Sequence, residues 1–118
     1  MDMHFEGIIF RTHADELGRR LGRAYPPFAV LDVRSAAAHE RLRIPGSFRV
    51  DAPLETLPAG TDQTTELFVV GAHPGDARVR QAALALKGLG ARRVVEVPGG
   101  LREWLGRGLP VEGIGTAA

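Results

Sequence analysis

Apolar residues run along this chain in short continuous stretches, with segments of helical spacing between them. The stretches are Gly7 to Phe10, Phe28 to Val33 ("FAVLDV"), Phe48 to Val50, Leu67 to Val70 and Arg92 to Val97. Near-continuous apolar runs of this length predict strands of a parallel sheet covered on both faces. Between the first two, Thr12 stands three residues ahead of Asp15 as in a capping box. That predicts a helix with Ala14, Leu17 and Leu21 on one face and Gly22 near its end. Ser35 is placed to cap a brief helix reaching Leu42, and Ile44-Pro45-Gly46 turns the chain into the third strand. Residues 51–65, rich in Pro, Gly and Thr, form a connection. Val79, Ala82, Ala83, Leu86 and Leu89 make the stripe of a helix from about Ala77 to Leu89, stopped at Gly90. After Pro98, Gly99 and Gly100 set the backbone geometry for a last helix, whose Leu101, Trp104 and Leu105 are expected in the core or at a subunit contact. The tail after Val111 is expected to be loosely ordered.

Strands alternating with helices through short links predict an α/β fold with helices on both sides of a parallel sheet. Ligands of such sheets lie outside the C-terminal strand ends. That rule picks out Asp32 to Ser35 and Gly71 to Arg78.

The 118 residues fit a single domain, 1–118, with its core over about 7–111. Fifteen basic residues against 14 acidic ones give a net charge of +1, no field that would gather nucleic acid or acidic lipid. Lys87 is the only lysine, so the cations are otherwise arginines, which bind planar anions through paired hydrogen bonds. Cysteine is absent, which removes disulfides, thiolate metal ligands and cysteine nucleophiles together. The start, "MDMHFEGIIF", lacks a basic stretch followed by an apolar one, and no apolar run approaches membrane-spanning length. A cytoplasmic protein without cofactor or metal is expected.

Two longer stretches resemble a known family. "LDVRSAAAHERLRIPGS", Leu31 to Ser47, is similar to the rhodanese signature in which Asp-Val-Arg precedes a short helix and an Ile-Pro-Gly turn. "VPGGLREWLGRGLPV", Val97 to Val111, is similar to the closing motif of that family. The resemblance implies a three-layer α/β/α domain with a five-stranded parallel sheet and an active-site loop after the fourth strand. In active members that loop opens with a cysteine that carries sulfur as a persulfide, cradled by backbone N–H groups and a helix N-terminus. Aligning the loop glycine with Gly75 places Ala72 at the cysteine position, followed by His73, Pro74, Asp76, Ala77 and Arg78. Ala77 stands where an arginine is frequent. Ala38, His39, Leu42 and Arg43 also depart from the first motif.

The resemblance thus implies a loop with no catalytic residue. His73 has two readings, an exposed loop histidine or a base, nucleophile or ligand, and its sequence neighbours do not suggest a metal site or triad. Asp76 is placed to accept N–H groups of the next helix and would compete with an external anion for them. Asp32 and Arg34 either tie the strand end to its neighbour or face a substrate. Three functions follow: an inactive binding or regulatory module whose rim of Arg34, Arg43, His73 and Arg78 meets a protein partner or small anion; an enzyme using His73 with arginines on a phosphate or sulfur oxyanion; or a scaffold whose partner supplies the cysteine.

Overall fold

The computed structural model describes residues 8–51 and 54–116. Its five strands are β1 (Phe10–Arg11), β2 (Phe28–Asp32), β3 (Phe48–Arg49), β4 (Glu66–Val70) and β5 (Arg93–Val97). All pair in parallel, in the order β1-β5-β4-β2-β3. The helices are α1 (Ala14–Arg20), α2 (Ala36–Arg41), α3 (Ala77–Gly88) and α4 (Gly100–Gly106), with a 3₁₀ turn at Ile114–Thr116. No helix among the described residues is long and apolar enough to cross a membrane.

Side chains alternate across the pleat, so each interior strand feeds two cores. Val30, Phe68, Val70, Val95 and Val97 pack on one face with Leu17, Leu101 and Trp104, the residues carried by α1 and α4. Leu31, Leu67, Val69 and Val94 pack on the other face with Val79, Ala82, Ala83 and Leu86 of α3, the predicted stripe. The result is the three-layer α/β/α arrangement with a five-stranded parallel sheet.

Several boundaries differ from the sequence reading. The first strand is confined to Phe10–Arg11, while Gly7 lies outside the described residues. Helix α1 is capped by His13 without a side-chain hydrogen bond, in place of Thr12. Its first N–H, at Ala14, donates to Glu103 Oε1 of α4 at 3.1 Å. A tertiary carboxylate therefore fills the role assigned to the local cap. Leu105 is exposed, whereas Leu101 and Trp104 are buried. The segment after Val111 is tied down as far as the 3₁₀ turn: Glu112 forms an antiparallel bridge with Arg43, and a Cβ on Gly113 would stand 2.6 Å from the Arg41 carbonyl oxygen.

From β2 the chain moves to β3 on one side, and later strands add on the other. The sheet therefore reverses its order between β2 and β4, where α/β sheets open a crevice for ligands.

Candidate functional site

Strand β4 leads through Gly71 into the turn that ends at Asp76, the N-cap of α3. The Asp76 carboxylate is folded back into this turn. Its Oδ1 accepts the Arg78 N–H at 3.1 Å, and its Oδ2 accepts the Ala72 N–H at 2.8 Å. The Arg78 guanidinium grips the same group in a fork, Nε to Oδ1 at 2.9 Å and Nη2 to Oδ2 at 2.7 Å. Only 5% of the Asp76 side chain is exposed, against 44% of Arg78. A Cβ at position 71 would stand 2.6 Å from Asp76 Oδ2, so glycine there is what lets the carboxylate turn inward. The hydrogen bond from Arg78, and then the Ala72 and Arg78 N–H groups, hold Asp76 far below the usual carboxylate range despite its burial. Asp76 is an anion at every physiological pH.

The underside of the turn is held by α4. Leu101 and Arg102 donate their N–H groups to the carbonyls of Gly71 and Ala72, at 2.9 and 3.0 Å. Gly100, at φ +64°, lies so close beneath that a Cβ would stand 2.7 Å from the His73 nitrogen. A side chain at position 100 is excluded on both counts.

At the end of β2 a second Asp-x-Arg unit repeats the geometry. Asp32 Oδ1 accepts the Arg34 N–H at 2.9 Å, and the Arg34 fork closes on the carboxylate with Nε to Oδ1 at 3.0 Å and Nη2 to Oδ2 at 2.8 Å. Nη2 also donates to the Leu42 carbonyl at 2.6 Å, which ties the strand end to the end of α2. The two residues are buried.

Two of the four rim residues share a cavity. Arg34 and Arg78 line a common cavity of about 280 Å³ on the α3 side of the sheet, and Arg49 lines it with them. Neither His73 nor Arg43 does. Arg43 donates to Glu112 at 3.1 Å and to the His39 carbonyl at 3.2 Å. His73 is exposed, with Nδ1 2.9 Å from the Pro74 carbonyl. Arg49 escaped the sequence reading. The register that sets Arg49 beside Asp32 brings it to the cavity, and its one sequence signal is a cation at a strand end.

The family model for the rhodanese-like domain matches residues 13–107. The chain belongs to the rhodanese-like domain family. No curated protein matches it. Among solved structures, a Bacillus halodurans protein superposes with a TM-score of 0.79 at 23% identity, covering 90% of this chain and 78% of its own. The rhodanese-like domain of the Alr3790 protein from Anabaena sp. gives 0.72 at 28% identity, covering 91% and 81%. Thiosulfate sulfurtransferase from Pseudomonas aeruginosa gives 0.74 at 23% identity, with 91% of this chain spanning 20% of that one.

This rhodanese-like domain is related to sulfurtransferases and has no cysteine. Its turn after β4 therefore offers a methyl group at Ala72 and no thiolate to accept sulfur. The Ala72 N–H, one of the donors facing the turn, is already engaged by an internal carboxylate. That carboxylate also complements the N-terminal dipole of α3.

Proposed function

We propose that this rhodanese-like domain does not transfer sulfur and serves as a binding or regulatory module. The observation that carries the reading is the Asp76 carboxylate seated in the turn, with its Oδ2 on the Ala72 N–H and the Arg78 fork around it. The carboxylate occupies the Ala72 N–H and the Arg78 N–H that thiosulfate entering the turn would need. The methyl of Ala72 provides no atom on which a persulfide could form. Thiosulfate:cyanide sulfurtransferase turnover should equal that of a protein-free control. Sulfate and thiosulfate titrations should show no sub-millimolar binding. Turnover well above the control would overturn the reading.

A further inference from the structure

The 280 Å³ cavity beside Arg34, Arg49 and Arg78 adjoins a second one of about 650 Å³. They share Arg49, Val50, Asp51 and Leu54 as walls. The larger runs along β2 and β3 beneath the connection that follows, with Phe28, Leu31, Phe48, Leu57 and Pro58 among its walls. Cations thus mark one end of a continuous groove, and apolar side chains mark the other.

The cations differ in how firmly they are engaged. Arg34 and Arg78 are neutralised by Asp32 and Asp76, yet neither Nη1 has a protein acceptor among the described residues. Arg49 Nη1 donates weakly to the Arg34 carbonyl, at 3.4 Å, and its one carboxylate partner among the described residues is Asp51, at 2.8 Å, with 77% of that side chain in solvent. Such a surface pair is worth little and exchanges readily for a better-held anion. Planar guanidinium donors match carboxylate geometry.

We propose that the groove binds a small amphiphilic carboxylate, its head replacing Asp51 on Arg49 beside the Arg34 and Arg78 Nη1 groups and its alkyl body lying between β2–β3 and Leu54. This rests on the reading of the chain as a binding module and names the ligand class. The groove lies on the α3 face of the sheet, and neither of its cavities is lined by Ala72 or His73.

The test titrates the full chain with octanoate, octanol and acetate, following backbone amide shifts in solution NMR. Octanoate should bind at least about tenfold more tightly than either of the others, which corresponds to about 1.4 kcal/mol. The largest shifts should fall on Val33, Arg49, Val50, Leu54 and Ala82. Arg49→Gln should bring octanoate down to the octanol affinity and leave octanol unchanged. In the unaltered protein, added salt should weaken octanoate and not octanol, so the test does not depend on the variant folding. Equal affinities for octanoate and octanol, shifts centred elsewhere, or no saturable octanoate binding would overturn the proposal. Sulfur-transfer turnover on the same sample separates the two ideas. Turnover with octanoate binding sinks the inactive-loop reading alone, and background turnover without binding sinks the groove alone.

Discussion

The Asp32–Arg34 and Asp76–Arg78 clasps have the same local geometry and opposite surroundings. In both, Oδ1 accepts the N–H two residues on, and an arginine fork closes on the carboxylate from the same side chain position. At the end of β2 the clasp is sealed, with side-chain exposures of 10% for Arg34 and 0% for Asp32. At the end of β4 the arginine is in contact with solvent. A local motif therefore fixes the shape, and burial decides what that shape is for. The first clasp locks the sheet to the next loop. The second fills the turn that leads from β4 into α3.

Breaking the sealed clasp should have the largest effect. Arg34→Leu leaves the Asp32 carboxylate buried without its counter-charge, which costs about 3–5 kcal/mol. Urea denaturation should show this, and a loss of no more than about 1–2 kcal/mol would mean that the sealed clasp is energetically no different from the exposed one.

Asp76→Asn should cost less, about 1–2 kcal/mol, since an amide still caps the helix while its fork and charge are lost. The pH dependence follows from the depressed acidity of Asp76. A group held below its unfolded value stabilises the fold above the unfolded pKa, about 4 for aspartate, and that contribution is lost as pH falls through the folded value. The stability gap between the original and the Asp76→Asn protein should therefore be constant from neutrality to mild acid and should close below about pH 4. Thermal unfolding across pH measures it. A gap that widens on acidification contradicts the role given to the carboxylate.

The local nature of both clasps explains what was legible in the sequence. Asp76 as a cap, and Asp32 with Arg34 as a strand-end tie, use partners within a few residues, so spacing alone reveals them. The strands of the sheet interior and the α3 stripe were legible for the same reason, through periodicity. Thr12 failed because the first N–H of α1 is met by Glu103, 89 residues away. Arg49 was missed because only strand register brings it beside Asp32, and register is set by pairing that no short window contains. Of the rim of Arg34, Arg43, His73 and Arg78, Arg34 and Arg78 line one cavity, while Arg43 is bridged to Glu112.

Smaller changes sharpen the comparison at the exposed clasp. Ala72→Cys alone should form little persulfide on exposure to thiosulfate, because Asp76 still engages the N–H at that position. Ala72→Cys with Asp76→Ala should form more, as read by intact-protein mass spectrometry. Equal yields would show that the carboxylate does not guard the turn. His73→Ala, at an exposed position, should change stability by no more than about 0.5 kcal/mol. It should also leave rates on generic phosphate and sulfate esters unaltered.

The seat of the turn on α4 has a consequence for heredity. Gly71 and Ala72 are held through their carbonyls by Leu101 and Arg102, above a glycine too close for any side chain. None of these contacts consults the identity of residue 72. A lineage can exchange the tenant of that position without giving up these backbone contacts.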